Sequence, residues 1–74
     1  MAARKRYDVV PASGNWALTH NGNTLSTHVL KSTAVDAGVK VARANAPSQL
    51  FIHRADGTIE DERTYGSDPY PPPG

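Results

Sequence analysis

The chain contains no cysteine, and this absence excludes several classes of protein at once. Disulfide bonds are impossible, and so are the zinc sites that depend on cysteine ligands. With only 74 residues, the chain is long enough for one domain, and domains of this size usually need a further stabilising element. We therefore expect association with a second copy, as a homodimer, to supply that element.

Long apolar runs are also missing from the chain. A helix that spans a bilayer needs about 20 consecutive apolar residues, and no stretch approaches that length. The first residues include the basic cluster Arg4, Lys5 and Arg6, but no apolar run follows it, which excludes a secretory signal. These absences predict a cytoplasmic protein without a membrane partner.

Charge of one sign is not in large excess, because the formal net charge is only +1. The charges are nevertheless unevenly distributed. Residues 1–54 carry seven Lys and Arg against two acids, a balance of +5, whereas residues 55–74 carry one Arg against five acids, a balance of −4. Such asymmetry is typical of a basic binding face, of a head-to-tail contact between copies, or of two solvated surfaces of one sheet. All three interpretations remain open at this point.

The spacing of apolar residues predicts the order strand, strand, strand, helix, strand, strand. The expected strands lie at residues 7–11, 15–20, 23–28, 49–54 and 58–65, and the expected helix covers about residues 31–45. Ser32 and Thr33 are both candidates for the helix cap, with Asp36 completing a capping box for Thr33, and Asn45 marks the helix end. The acidic last strand, in which Ile59 and Tyr65 are the core-like residues, belongs at a sheet edge.

Asn21-Gly22 is the clearest local signal, because both residues tolerate the positive φ of a two-residue hairpin turn. That turn would place Leu18 opposite Leu25 and Trp16 opposite Thr27. We therefore predict an α+β domain over residues 7–65, with an antiparallel sheet in sequence order, or two hairpins, packed on one helix of small residues. Residues 1–6 are expected to form a flexible basic arm, and residues 66–74 an extended proline-rich tail.

Residues able to carry catalytic or metal chemistry are few and scattered. His20, His28 and His53 share no helix face, so a metal site would have to be assembled across strands. The serines lie in no nucleophile-elbow context, and in the acidic run only Glu60 and Glu62 share a strand face. Gly14 and Gly57 belong to turn sequences, and no glycine-rich phosphate-binding loop is present. We therefore predict no enzyme, no metal and no cofactor.

Two sets of residues carry signals of binding. Basic side chains suited to phosphate contacts are Arg4, Lys5, Arg6, Lys40, Arg43 and Arg54. The stiff tail loses little entropy on docking, either to a partner or as a strap across its own domain or a neighbouring subunit, with candidate contacts at Tyr65, Asp68, Tyr70, Pro71 and Pro72. We expect a non-enzymatic binding or assembly module that acts through protein contacts, and nucleic-acid binding is the alternative.

Several stretches of the chain resemble a known family. They include Tyr-Asp-Val-Val-Pro at 7–11, Gly-Asn-Trp-Ala-Leu at 14–18, the helical segment at 34–38, Leu-Phe-Ile-His at 50–53, Asp-Gly-x-Ile at 56–59 and, above all, Glu-Arg-Thr-Tyr-Gly-x-Asp-Pro-x-Pro-Pro at 62–72. These stretches are similar to the small bacterial and phage family called domain of unknown function 2188. Leu30 and Arg54-Ala55 depart from its usual pattern. The resemblance implies a compact, stand-alone cytoplasmic protein and supplies no activity and no catalytic residue.

Overall fold

A computed structural model describes residues 5–66, and these form a five-stranded sheet covered on one face by one helix. The elements are β1 Lys5–Ala12, β2 Asn15–His20, β3 Asn23–His28, α1 Lys31–Ala44, β4 Ser48–His53 and β5 Ile59–Tyr65. The α+β class and the predicted order of elements are confirmed. Within residues 5–66, α1 is too short and too polar to cross a membrane.

The sheet is mixed, which corrects the prediction of an antiparallel sheet in sequence order. Its strand order is β3-β2-β1-β4-β5. β1 and β4 are parallel neighbours, with Tyr7 opposite Leu50 and Val9 opposite Ile52, whereas the other neighbouring strands are antiparallel. Parallel neighbours need a crossover connection, and α1 supplies it by carrying the chain from β3 at one edge back to β4 beside β1. β5 forms the opposite edge, as its charge predicted.

The Asn21-Gly22 hairpin is confirmed, because both residues have positive φ, 52° and 84°, and join β2 to β3. The register after it differs from the prediction. Leu18 lies opposite Ser26 rather than Leu25, and Trp16 lies opposite His28 rather than Thr27. Leu25 is the extra residue of a β-bulge and is 49% exposed rather than part of the core. A bulge inserts one unpaired residue, which alternation in the sequence does not reveal.

The first turn is tighter than predicted. β1 continues through Pro11 to Ala12, and Ser13 and Gly14 alone form the turn, with φ of 50° and 86°. Proline donates no backbone hydrogen bond and is normally excluded from central strands. It is compatible with β1 because β4 pairs with β1 only as far as Val9, so Pro11 lies beyond that ladder.

The core lies between α1 and the sheet face that it covers. Its buried members are Tyr7, Val9, Leu18, Ala34, Ala42, Leu50 and Ile52. The helix lies close to the sheet at Gly38, where an added Cβ would be 3.0 Å from Leu50 Cδ1 and 3.2 Å from Leu18 Cδ1. Tyr65 packs against this core, whereas Ile59, also predicted to be core-like, is 44% exposed.

The start of α1 differs from the predicted caps. Leu30 is the N-cap residue, and its side chain makes no cap hydrogen bond. Ser32 and Thr33 lie inside the first turn, where Thr33 Oγ1 donates to the Leu30 carbonyl at 2.8 Å, so the predicted capping box with Asp36 is wrong. The end is as predicted, since Asn45 is the C-cap and its amide donates to a carbonyl of the last turn.

Candidate functional site

A cluster of polar side chains lies on the helix-free face of the sheet. Because alternate residues of a strand point to the same face, Arg6 and Asp8 of β1 lie beside Phe51 and His53 of β4. The guanidinium carbon of Arg6 is 4.2 Å from the centroid of the Phe51 ring, which is a cation–π contact. The parallel pairing of β1 and β4 is what assembles this cluster.

Asp8 receives hydrogen bonds from two sides. Arg6 donates from Nε and Nη2, each at 3.0 Å, and His53 Nε2 lies 2.9 Å from Oδ2 of the carboxylate. Partial burial alone would raise the pKa of Asp8, but the hydrogen bonds from Arg6 and His53 outweigh burial and lower that pKa. The carboxylate is therefore ionised at neutral pH, and the same pairing raises the pKa of Arg6.

His53 also contacts the turn between β4 and β5. Its Nδ1 lies 3.1 Å from the Gly57 carbonyl oxygen, while Nε2 faces Asp8. Both ring nitrogens thus lie within hydrogen-bond distance of an oxygen atom. In the part of the chain that the structure describes, every buried side-chain nitrogen and oxygen has a hydrogen-bond partner. The hydrogen bonds of the cluster join β1 to β4 and to the β4–β5 turn.

The three histidines singled out in the sequence lie apart. His20 stacks on Tyr7 with 4.7 Å between ring centroids, and its Nδ1 is 2.9 Å from the Arg6 carbonyl oxygen. His28 lies on β3, where its Nε2 is 2.9 Å from Ser26 Oγ. Among residues 5–66, no three metal-ligating side chains come together and no pocket is present. Binding of another molecule to this part of the chain would therefore use its exposed surfaces.

Those basic residues predicted to contact nucleic acid that lie within residues 5–66 are on different surfaces. Lys5 and Arg6 belong to β1 rather than to an arm, and as neighbours on a strand they point to opposite faces. Lys40 and Arg43 are exposed on α1, and Arg54 hydrogen-bonds within the β4–β5 turn. These residues therefore do not form one basic surface, and nucleic-acid binding stays a prediction.

Tyr65 is the one candidate tail contact within the described residues. It ends β5 opposite Ser48, half-buried against the core. The other tail candidates, together with Arg4 of the predicted arm, lie outside the described residues, and they are Asp68, Tyr70, Pro71 and Pro72. Docking of the tail stays a prediction.

The two edge strands differ in charge. β5 carries Glu60, Asp61, Glu62 and Arg63, whereas β3 carries no charged residue. Each strand contains a bulge, at Leu25 in β3 and at Glu60 in β5, so shape does not distinguish them. Charged side chains usually protect an edge against pairing with another chain. β5 has this protection and β3 lacks it.

Exposed apolar side chains gather beside the uncharged edge. Leu25 of β3 and the following Val29 and Leu30 are 49%, 76% and 60% exposed. We call residues 23–30 the β3 edge surface. Apolar groups beside an unpaired edge are typical of protein-interaction sites. The sequence does contain a signal for this surface, because residues 9–30 include no Lys, Arg, Asp or Glu. The prediction of binding residues relied on clusters of charge and did not use this uncharged stretch.

The family comparison agrees with the resemblance seen in the sequence. The family model of DUF2188, described as an uncharacterized protein conserved in bacteria, matches residues 7–65. The match begins within β1 and extends to the last residue of β5, so it includes the helix and all five strands of the sheet. No curated protein and no solved structure matches the chain.

Proposed function

Because this chain belongs to the DUF2188 family, whose description names no activity, we propose a function from its own surfaces. In this proposal the protein is a small, non-enzymatic binding and assembly module that acts through protein–protein contacts. The β3 edge surface is the contact site. The observation that supports this proposal is the uncharged edge strand β3, which exposes Leu25 and is followed by the exposed side chains of Val29 and Leu30.

An unpaired edge provides both affinity and specificity for another protein. Its backbone N–H and C=O groups, which pair with no further strand among residues 5–66, can pair with a strand of the partner, and neighbouring apolar side chains add surface that is removed from water on contact. β5 satisfies the second condition poorly, because its single exposed apolar side chain, Ile59, is followed by four charged ones. The β3 edge surface satisfies both.

The polar cluster supports a non-enzymatic role. The side chains best suited to acid–base chemistry, Asp8 and His53, are bound to each other and to Arg6 and the Gly57 carbonyl. Their contacts hold β1, β4 and a turn together rather than facing a cavity. We propose that the protein works in the cytoplasm, since a chain without cysteine does not depend on an oxidising compartment.

Photo-crosslinking in living bacteria tests the contact site. A photoreactive amino acid replaces Thr27, which is exposed on β3, and Thr64, which is exposed on β5, serves as the control. The two positions match closely, because each is the penultimate residue of an edge strand and lies on the helix-free face. We expect protein adducts from position 27 and none from position 64. No adduct at position 27, or equal adducts at both positions, would overturn the proposal.

A further inference from the structure

We propose that the partner at the β3 edge surface is a second copy of this chain, with β3 pairing antiparallel to β3 of that copy across a two-fold axis. This inference rests on the proposed function, because it uses the same surface. The two sheets join into one continuous sheet, and the β5 strands lie at its two outer ends. Three features of the described residues support this arrangement.

The first feature is the absence of charge on β3. When a strand pairs with its own copy across a two-fold axis, a charged residue near the axis lies opposite its own copy, and like charges directly opposite each other are destabilising. β3 carries no Lys, Arg, Asp or Glu, so it incurs no such repulsion. Pairing of β5 with itself would instead bring Glu62 of both copies together near the middle of the strand, whereas Glu60 is already paired with Lys31 and Asp61 with Arg63.

The second feature is that β3–β3 pairing closes after two copies. A head-to-tail contact of β3 with β5 of another copy would repeat without closing and build a fibre. β3 also offers no cation to the acidic side chains of β5. Two-fold pairing of β3 leaves only the charged β5 edges exposed, and charged edges discourage further pairing. A discrete dimer is therefore the expected product.

The third feature is the position of the exposed apolar side chains. In an antiparallel pair, the end of one strand lies beside the start of the other, so Val29 and Leu30 come next to the β2–β3 turn of the second copy. Leu25 lies near the middle of β3, close to the two-fold axis. The fully buried residues of α1 are all small, Ala34, Gly38 and Ala42, so added burial at this surface is a substantial gain.

Disulfide trapping tests the pairing and its direction. The full chain has no cysteine, so a single introduced cysteine can form a disulfide only between two copies. Positions near a two-fold axis lie opposite themselves, within the Cα separation that a disulfide requires. After mild oxidation we expect the dimer yield to peak at Leu25→Cys or Ser26→Cys, to fall towards Asn23→Cys and His28→Cys, and to be lowest at Thr64→Cys. A flat profile, or a maximum on β5, would overturn the proposal.

Sedimentation equilibrium of unmodified protein provides the second measurement. We expect a mass twice that of the 7.9 kDa chain, a fall to the monomer mass in Thr27→Lys, and no change in Thr64→Lys. Circular dichroism establishes that both variants are folded. If the wild type is monomeric at its highest soluble concentration, the homodimer is overturned. The proposed function then survives only if the adducts at position 27 contain a different protein, and without adducts both proposals fail.

Discussion

The Nε2 atom of His53 lies 2.9 Å from a carboxylate oxygen of Asp8, and this contact joins two strands that are parallel neighbours. Asp8 belongs to β1 and His53 ends β4, while the other ring nitrogen of His53 faces Gly57 in the next turn. One side chain thereby connects the β1–β2–β3 meander to the β4–β5 hairpin. This polar contact joins β1 and β4 on the helix-free face, and the apolar core joins them on the face that α1 covers.

Replacing Asp8 by Asn measures what this contact contributes. Asn has no charge to pair with Arg6 and His53, and hydrogen bonds to charged groups contribute more than neutral ones. We expect the free energy of unfolding at neutral pH to fall by about 1.5–3 kcal/mol, as measured by urea denaturation. Asp36→Asn is the control, because it removes an exposed helical pair with Lys40 and should cost less than about 0.5 kcal/mol. Equal losses would mean that the Asp8 contacts add nothing.

The same carboxylate makes stability depend on pH in one direction. Although partial burial opposes it, hydrogen bonding from Arg6 and His53 keeps the folded pKa of Asp8 below its usual value. A lowered carboxyl pKa contributes stability above the unfolded pKa of about 3.9, and that stability is lost as the pH falls through the folded value. We expect the stability difference between the wild type and Asp8→Asn to be largest at neutral pH and to shrink below roughly pH 4. A difference that persists unchanged on acidification would contradict this assignment.

Features that depend on residues close together in the chain were predictable from the sequence. The Asn21-Gly22 turn, the approximate bounds of α1 and the edge position of β5 follow from turn chemistry, apolar spacing and local charge. The parallel pairing of β1 with β4 was not predictable, because it depends on where a helix crosses the sheet. The bulge at Leu25 was missed for a related reason, since pairing with β2 determines where the extra residue sits.

The candidate site shows the same division. Arg6 was singled out by its charge, but its partners Asp8 and His53 are separated by 45 residues, and no spacing in the sequence relates them. They become neighbours only through parallel pairing. The β3 edge surface was within reach of sequence reasoning, because an uncharged stretch that includes a hairpin is a property of the residues alone. β3 becomes an edge strand because β1 pairs with both β2 and β4, and the residues alone do not reveal that pairing.

Gly38→Ala tests the close approach of α1 to the sheet. Alanine favours a helix by up to about 1 kcal/mol over glycine, but its Cβ would lie within 3.3 Å of methyl groups of the buried Leu18 and Leu50. Overpacking of a tight core costs about 1–3 kcal/mol, so we expect a net loss of about 1 kcal/mol. Leu50→Val makes room, and it should cost less in the Gly38→Ala background than in the wild type. A stabilised Gly38→Ala would contradict the close packing.

Ser48→Ala tests a buried link between β4 and α1. Ser48 is fully buried, and its Oγ donates to the carbonyl oxygen of Ala42 at 2.6 Å, in the last turn of the helix. Without the hydroxyl that carbonyl loses a partner inside the core, and we expect a loss of about 1–3 kcal/mol in the free energy of unfolding. Ser32→Ala, at an exposed position of the first helical turn, should change stability by less than about 0.5 kcal/mol. Similar effects at both positions would show that the hydrogen bond is unimportant.

Leu30→Ser separates the stability of one copy from the contact between copies. Leu30 occupies the N-cap of α1 without a side-chain cap and is 60% exposed, so its side chain caps nothing and is mostly in contact with water. Serine at an N-cap stabilises a helix by about 0.5–2 kcal/mol, and we expect that gain in dilute, monomeric protein. Self-association measured by sedimentation should weaken at the same time, because an apolar side chain of the β3 edge surface is lost.

Val29→Ser removes a similar side chain without adding a cap, so it should weaken association and leave the stability of the monomer unchanged. If Leu30→Ser raises stability but leaves association intact, Leu30 takes no part in the contact. A fall in association with a gain in stability instead explains why leucine stands where a capping residue would serve the helix better.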